Sequence, residues 1–440
     1  MNGKGAPIGA DRSADSYLPS HGNGGYRVRH YDLDLEYRIR TNRLTGRATI
    51  AAVATQALGG FSLDLAGLRV QRVLVDGVPA RYTHQRGKLR IRPAEPLANA
   101  ADFTVEVRYN GNPRPVASRW GDIGWDELTD GVLVASQPIG APSWFPCNDH
   151  PSDKATYRVS LTTASAYTVL VTGNLVSRRF GAGSTTWIYH RPQPTATYLM
   201  SVQIGRYDQV VLAAGAVPQV AEVPIELRRA AEFDLARQGQ IMVALQRFFG
   251  PYPFENYVIV VTADELDDPI EAQGMSIFGA GHVDGRRTHE RLVVHELAHQ
   301  WFGNSLTVGQ WRHIWLNEGF ATYAEWLWSE TTGGPSAHIH ALQWHARLAA
   351  RPADLKVADP GATRIFDERV YRRGALTLHA LRRRIGDGRF FDLLHAWTDE
   401  HRHGTVTTEQ FTALAQRHTT EPLDELFTAW LWRTRLPALE

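Results

Sequence analysis

The sequence predicts an α+β protein of two domains, an antiparallel β domain over residues 1–212 and a mostly helical domain over residues 213–440. Two domains are the natural expectation for 440 residues. Apolar and polar residues alternate with a period of two in the first half of the chain, and a period of 3.6 prevails in the second half. With 43% hydrophobic and 21% charged residues, the composition is that of a folded soluble protein and not of a disordered chain.

Several segments of the first half have the alternation of a strand with one polar face, which antiparallel sheets favour. They are Tyr31–Tyr37, Lys88–Arg92, Phe103–Arg108 and Tyr157–Leu161. Turn residues separate these segments, for example at 110–113, where the sequence reads NGNP. The small residues of Ala213–Pro218 predict the linker to the second domain.

Helical periodicity dominates the second half. The predicted helices are Ala231–Phe249, Thr288–Phe302, Trp315–Ser329 and Arg373–Ile385. Thr288 is the predicted N-cap of the second helix, and Gly250, Gly303 and Gly386 follow three of the predicted ends.

Charge and cysteine content exclude several classes of partner and site. The 47 basic and 46 acidic residues give a formal net charge of +1, so we expect neither nucleic acid nor a membrane as a partner. Cys147 is the single cysteine, which excludes an intramolecular disulfide and predicts a buried structural thiol. The polar N-terminus lacks an apolar leader. We therefore expect a cytoplasmic protein, secreted only if a signal peptide was removed before residue 1, of unknown oligomeric state.

The predicted helix over residues 288–302 carries the sequence HELAH at His295–His299. Histidines four residues apart project from one helix face, about 5–6 Å from each other, so both imidazoles can reach one ion. Glu296 adjoins the first histidine and can act as the general base for a water activated by zinc. On this motif alone, two partly exposed histidines beside a glutamate remain the alternative.

Glu318 supplies a third ligand, since residues 300–317 leave 18 positions between it and His299. That spacing allows one helix to end and a second helix to pass the ion. We therefore predict one zinc ion per chain, bound by His295, His299 and Glu318, with the fourth position left for water. Glu325 falls on nearly the same helix face as Glu318 and is a candidate acceptor for the other ring nitrogen of a metal-bound histidine. A solvated surface glutamate is the alternative for Glu325.

These residues carry a family resemblance. The HExxH motif, the 18-residue spacing, Glu318 and the following GFATY sequence resemble the gluzincin aminopeptidases, the family of aminopeptidase N and leukotriene hydrolase. The sequence WFPCND at residues 144–149, with DKA at 153–155, is similar to a further family segment, and so is YRRG at 371–374. The resemblance covers most of the chain. It implies a saddle-like β domain followed by a thermolysin-like catalytic domain.

The resemblance also implies roles for three residues outside the zinc motif. Tyr371 corresponds to the tyrosine that contacts the oxyanion, where a hydroxyl stabilises developing charge. The amine-binding loop of the family, Gly-x-Met-Glu-Asn, is replaced here by DPIEA at 268–272, and only Glu271 matches strongly, as the amine-binding carboxylate. Gln137 is the candidate for a second amine-binding residue, at a shorter spacing than usual, with an ordinary loop glutamine as the alternative.

Length is a second departure from the family pattern. Many members continue past the catalytic domain into a β module and a large helical domain that covers the active site. We interpret this sequence as a short bacterial form without those C-terminal domains, and we expect a more open cleft.

The leading functional hypothesis is a zinc-dependent metallo-aminopeptidase that acts on peptides with a free N-terminus. Zinc would polarise the scissile carbonyl and the water, Glu296 would act as general base, and Tyr371 would stabilise the oxyanion. One alternative is an epoxide hydrolase activity on a lipid, known for one branch of the family, which needs a long apolar channel. The other alternative is a catalytically inactive peptide-binding or scaffold relative, which would need none of these residues together.

Overall fold

The computed structural model describes residues 6–439, which divide into two compact units. The first unit extends to Asp208 and also includes residues 223–225 and 262–264. The second unit consists of residues 209–222, 226–261 and 265 onward. Residues 209–212, assigned from the sequence to the first domain, thus belong to the second unit.

The first unit is built from β-strands. They are β1 (Tyr26–Arg38), β2 (Arg43–Ala54), β3 (Phe61–Asp64), β4 (Arg69–Val75), β5 (Val78–Pro79), β6 (Arg81–Gln85), β7 (Lys88–Arg92), β8 (Asp102–Gly111), β9 (Val116–Ser118), β10 (Gly121–Leu128), β11 (Gly131–Ala135), β12 (Ala155–Ala164), β13 (Thr168–Val171), β14 (Asn174–Phe180), β15 (Ser184–Thr195) and β16 (Val202–Gly205). The four strands predicted from the sequence are confirmed within β1, β7, β8 and β12.

These strands form three sheets, with the orders β14-β15-β12-β1-β2-β8-β4-β5, β13-β16-β11-β10-β9 and β3-β7-β6. The largest sheet is mixed, because β1 pairs with β2 antiparallel but with β12 in parallel. The β domain predicted to be antiparallel thus contains one parallel pair, β1 with β12. Alternation specifies which face of a strand is buried and leaves the direction of its neighbour open.

Aromatic side chains fill the interior of the first unit. Tyr31 of β1 stacks on Tyr157 of β12 with ring centroids 4.9 Å apart, and Phe145 packs edge-on against Tyr31 at 5.5 Å. Cys147 lies in the same core and is fully buried, which confirms the prediction of a buried thiol. Burial raises the pKa of this thiol well above its usual value, so it remains protonated.

The second unit combines helices with a small mixed sheet. Its strands are β17 (Asp208–Ala213), β18 (Gln219–Val223), β19 (Tyr257–Val261), β20 (Ile270–Ala272), β21 (Met275–Phe278), β22 (Thr307–Val308) and β23 (Thr405–Val406). Its helices are α1 (Arg228–Asp234), α2 (Gln238–Phe249), α3 (Glu290–Ala298), α4 (Trp315–Thr331), α5 (Ala337–Ala349), α6 (Glu368–Ile385), α7 (Asp387–Glu400), α8 (Thr408–Arg417) and α9 (Asp424–Phe427). Between residues 6 and 439, no helix is long and apolar enough to cross a membrane.

The sheet of the second unit, in the order β17-β18-β19-β21-β20, was not predicted. Strand β19 is a run of five apolar or aromatic residues, which periodicity alone does not distinguish from a buried helix segment. The predicted linker at 213–218 is instead the end of β17 and the loop that leads into β18. Strand β20 forms one edge of the sheet and runs antiparallel to β21, whereas β18, β19 and β21 are parallel.

Several helix boundaries differ from the prediction. The predicted helix over 231–249 is divided into α1 and α2, because the Asp234 carboxylate accepts backbone N–H bonds from Asp284, Gly285 and Arg287 and the chain turns there. Helix α3 begins at Glu290 with no side-chain N-cap. Thr288 instead donates its hydroxyl proton to the Asp284 carboxylate. Long-range bonds of Asp234 thus set the first boundary, and a bond four residues away in the sequence takes the Thr288 hydroxyl from the predicted cap.

Helices α4 and α6 cross at a pair of glycines. A Cβ atom added to Gly319 would lie 2.9 Å from the Cα atom of Gly374, and the reverse distance is also 2.9 Å. The two backbones are therefore in direct contact. Gly319 follows Glu318, and Gly374 lies one helical turn after Tyr371, so this crossing places the glutamate and the tyrosine on adjoining helices.

We expect the Gly319→Ala variant to be destabilised by about 1–3 kcal/mol, because the new methyl group would overlap the backbone of α6. The matched control is Gly388→Ala in α7, where an added Cβ meets no atom within 4 Å. Alanine is the better helix former, so this control should be stabilised by up to about 1 kcal/mol. Urea unfolding measures both changes, and equal midpoints for the two variants would show that the crossing is not tight.

Candidate active site

Helices α3 and α4 bring together the three predicted metal ligands. Nε2 of His295 and Nε2 of His299 each lie 3.4 Å from Oε2 of Glu318. The donor atoms of these three side chains all lie within 4.8 Å of one another, and each residue is at least nine-tenths buried. The sequence motif has therefore placed three potential ligands around one point.

The second ring nitrogen of each histidine is already bonded. Nδ1 of His295 lies 2.8 Å from Oε1 of Glu325, and Nδ1 of His299 lies 3.0 Å from the carbonyl oxygen of Phe302. A carboxylate and a carbonyl can only accept, so each Nδ1 carries a proton, and each Nε2, which faces Glu318, is the ring nitrogen left to bind an ion. The glutamate predicted to contact a metal-bound histidine is thus in contact with His295.

The residues fit a zinc ion. Two neutral imidazoles and one carboxylate are a donor set of catalytic zinc sites, which leave one position open. Donors about 2.1 Å from a tetrahedral ion are about 3.4 Å apart, which is the spacing between the Glu318 oxygen and each imidazole nitrogen.

The electrostatics of the site favour a positive charge where the donors meet. Burial lowers the pKa of His295, but its hydrogen bonds to Glu318 and Glu325 outweigh burial and raise that pKa to about 9. Burial is likewise outweighed at His299, whose pKa is raised to about 10 by Glu318 and Glu271. Burial raises the pKa of Glu318, but the two histidines reverse this effect and hold the pKa at about 2.

Two arginines form ion pairs with Glu325. Its Oε2 atom lies 3.5 Å from Nη1 of Arg291 and 3.5 Å from Nη1 of Arg372. The guanidinium of Arg372 also lies over the ring of Trp344, 4.3 Å from the centroid. These charges and the bond to His295 lower the pKa of Glu325 although burial opposes them, so Glu325 remains ionised.

Two further carboxylates adjoin the metal ligands. Carboxylate oxygens of Glu271 and Glu296 and a ring nitrogen of His299 lie within 4.8 Å of one another, and both glutamates are buried. Burial raises the pKa of both carboxyls, that of Glu296 to about 7. Oε1 of Glu271 and Oε2 of Glu296 have no hydrogen-bond partner among residues 6–439. Unpaired buried carboxylate oxygens are costly, which indicates a place for a ligand with donor groups.

Tyr371 lies against the metal ligands from helix α6. Its ring stacks on that of His295, with centroids 6.2 Å apart and planes inclined by 14°. Burial and the charges of Glu318, Glu271 and Glu296 raise the pKa of Tyr371 well above its usual value. The phenol therefore keeps its proton and is a hydrogen-bond donor at neutral pH.

Gln137 belongs to the other compact unit, where it follows β11. It is partly exposed, and its Nε2 atom has no hydrogen-bond partner in the described part of the chain. Its role in binding an amine stays a prediction.

Several residues at the site were not identified from the sequence. Arg291 and Arg372 contact Glu325, and Gln300 and Asn304 bond the hairpin that carries Glu271. A signal was available for the last two, since an amide at 300 and another at 304 flank the apolar sequence WFG directly after the metal motif. No pattern in the sequence distinguishes Arg291 and Arg372 from the many other arginines.

We expect His299→Ala to lose the metal, because it removes one of three donors, and Glu296→Gln to keep it, because Glu296 is not among those donors. Metal analysis after dialysis against zinc measures both. Equal metal loss in the two variants would show that Glu296 is itself a ligand.

Glu325→Ala should weaken zinc binding by about 10–100-fold, because His295 loses the acceptor that orients its ring. The control is Glu330→Ala on the same helix, since Glu330 bonds Ala337 and Arg382 and no histidine of the site. Competition with a zinc-chelating dye gives both affinities. Equal affinities in the two variants would contradict an orienting role for Glu325.

Both halves of the chain match family models. Residues 28–199 match the Peptidase M1 N-terminal domain, and residues 233–430 match the Peptidase family M1 domain.

Among curated proteins, aminopeptidase M1-A of Oryza sativa subsp. japonica is 27% identical over 471 residues, covering 98% of this chain and 53% of its own length. Glutamyl aminopeptidase of Bos taurus is 24% identical and covers 93% of this chain and 47% of its own length. The chain spans about half the length of the curated relatives it matches.

Among solved structures, the M1 zinc metallopeptidase of Deinococcus radiodurans superposes with a TM-score of 0.86 at 30% identity, covering 97% of this chain and 98% of that one. A variant of that enzyme bound to a Tyr-Ser-Ala substrate gives 0.88 at 29% identity over the same shares. Yeast LTA4 hydrolase gives 0.80 at 20% identity, covering 94% of this chain and 69% of that one, which is a likeness of fold alone. With both domain models matched and a relative of nearly equal length at 30% identity, the chain belongs to peptidase family M1.

Proposed function

We propose that this chain is a zinc-dependent aminopeptidase that hydrolyses the N-terminal residue from peptides. The observation that carries the proposal is the buried Glu271 carboxylate beside the metal donors, with one oxygen that has no partner between residues 6 and 439. A peptide ammonium supplies the missing donors and the opposite charge. The curated M1 relatives are aminopeptidases by name, and the Deinococcus relative has been captured with a tripeptide substrate.

His295, His299 and Glu318 would hold one zinc ion per chain, which when bound supplies Lewis acidity for a peptide carbonyl and an attacking water. Glu296 accepts the proton of that water, because its Oε2 atom is buried next to the same donors and is free to accept. The same carboxyl group then passes the proton to the departing amine. Glu296 therefore acts first as base and then as acid.

Tyr371 and Glu271 orient and stabilise the substrate. The Tyr371 phenol donates to the oxygen on which charge develops, and its raised pKa keeps this donor protonated. Glu271 binds the free ammonium and so places the first peptide bond, and no later one, beside Glu296. Gln137 is proposed as a second contact to the ammonium.

The remaining parts of the proposal follow from the sequence. The peptidase chemistry is assigned to the second unit, which the sequence delimits as residues 213–440, and not to the β domain that precedes it. The partners are peptides with a free N-terminus. A cytoplasmic location is proposed because the single cysteine, Cys147, shows no use of disulfides.

The decisive experiment is hydrolysis of a panel of aminoacyl p-nitroanilides and of their N-acetylated counterparts, with and without a zinc chelator. We expect cleavage of the free-amine compounds only, loss of activity with the chelator and recovery on addition of zinc. Glu271→Ala should lower kcat/KM for the free-amine compounds by about 10–100-fold, the magnitude of a charge-assisted contact.

The control is Glu265→Ala in the loop before β20, whose carboxylate bonds the Gly281 N–H and which should retain its preference for free amines. Equal cleavage of free and acetylated compounds would make the protein an endopeptidase. No cleavage of any compound by zinc-loaded protein would support the inactive relative instead.

A further inference from the structure

Glu271 lies on a short and weakly supported element. Strand β20 has three residues, forms the edge of its sheet and pairs with β21 on one side only. A two-residue turn, Gln273–Gly274, joins the two strands, and Gly274 has a left-handed φ of 79°, as a type II turn requires at its second central residue. Short edge strands have few bonds to hold them in place, so Glu271 needs support from another element.

Gln300 supplies part of that support. It directly follows the ligand His299 and is fully buried. Its Oε1 atom accepts the Gly274 N–H at 2.7 Å, and its Nε2 atom donates to the Ala272 carbonyl at 3.1 Å. One amide group therefore bonds both ends of the turn that follows Glu271.

Asn304 supplies a second bond to the same place. It is also fully buried, and its Nδ2 atom donates to the Ala272 carbonyl at 3.0 Å. The backbone of Asn304 is in turn bonded to the carbonyl of His299 at 3.0 Å. The segment that carries the two amides is thus the one that ends the metal-binding helix.

The metal ligand and the two amides are parts of one rigid turn. Nδ1 of His299 donates to the carbonyl of Phe302, between Gln300 and Asn304 in the sequence. A displacement of this turn moves the imidazole and the hairpin together. The carbonyl of Ala272, next to Glu271, is the point at which both amides meet.

We propose that Gln300 and Asn304 are positioning residues that set the distance between Glu271 and the metal ligands, and thereby the selectivity for a free N-terminus. The inference rests on the proposed function and deepens it. The proposal gives neither amide a direct contact with the substrate, because both polar atoms of the Gln300 amide and Nδ2 of Asn304 are bonded to the backbone of the hairpin. Their effect reaches the substrate through Glu271.

The chemistry of the amide group accounts for the residue type at 300. The turn presents one N–H and one carbonyl, and the glutamine amide offers a matching acceptor and donor in one planar group. A glutamate at this position lacks the donor, and a leucine lacks both. Either replacement leaves buried backbone groups unpaired and releases the turn from α3.

The test uses two ligands that differ only in the amine, leucine hydroxamate and 4-methylpentanohydroxamate, whose hydroxamate groups both bind zinc. The inhibition constants are measured on zinc-loaded protein. The inhibition constant of 4-methylpentanohydroxamate divided by that of leucine hydroxamate isolates the contribution of the amine. We expect Gln300→Leu and Asn304→Ala to lower this ratio by about tenfold or more, because a misplaced charged contact loses most of its effect. Zinc content and the inhibition constant of 4-methylpentanohydroxamate should change by less than about twofold.

The matched control is Gln238→Leu in α2, which removes another fully buried glutamine amide, bonded to Gln219 and not to the hairpin. This variant should lose stability and keep the ratio of the two inhibition constants of the unaltered protein. A purely structural role for Gln300 would give the same result as the control. If Gln300→Leu does not fold, Asn304→Ala decides the question, because it removes one bond to the hairpin and leaves both bonds of the Gln300 amide in place.

The outcomes separate the inference from the proposed function. If the unaltered protein binds both hydroxamates equally, Glu271 does not recognise an amine, and the proposed function and the inference both fail. If it prefers leucine hydroxamate and the folded, zinc-loaded Gln300 and Asn304 variants keep that preference, the positioning role alone is overturned.

Discussion

The buried cluster of two imidazoles and three carboxylates is the constraint on which the second unit depends. Glu271, Glu296 and Glu318 lie beside His295 and His299 in the interior, where an uncompensated charge costs several kcal/mol. Without a metal ion, the histidines must retain protons to balance these carboxylates, which is why their pKa values are raised. A divalent cation satisfies the same charge balance and uses the lone pairs that the Nδ1 hydrogen bonds direct toward one point.

Helix packing then serves to keep the cluster in place. Phe302, at the end of the metal-binding turn, stacks on Phe320 of α4 with centroids 4.3 Å apart. The glycine pair brings α6 into backbone contact with α4, which allows Tyr371 to reach His295. Apolar and backbone contacts thus join these helices around the ligands, in addition to the ion pairs of Glu325 with Arg291 and Arg372. The cost of assembling the charges is offset by apolar packing outside the cluster.

The sequence predicted the parts of the site that depend on spacing within one or two helices. His295 and His299 share a helix face by periodicity, and the position of Glu318 follows from a second helix that passes the first. Gln300 and Arg372 could not be assigned in this way, because their partners are a backbone turn and a carboxylate on other elements. The fold likewise has parts that follow from local sequence patterns and parts that depend on contacts between distant elements. Alternation identified the buried faces of strands, but the parallel partner of β1 and the apolar strand β19 are set by tertiary pairing.

Residues 268–272, predicted from the sequence to bind an amine, depart from the family pattern, and the way in which their hairpin is held gives a physical explanation. Gln300 and Asn304 bond the amide of Gly274 and the carbonyl of Ala272, which are backbone groups that almost any residue offers. These bonds place no demand on the side chain of residue 272, whereas the left-handed φ at 274 favours glycine. Glu271 is the one charged side chain of strand β20. A hairpin held through its backbone can therefore change its neighbouring side chains and still keep this carboxylate beside the metal ligands.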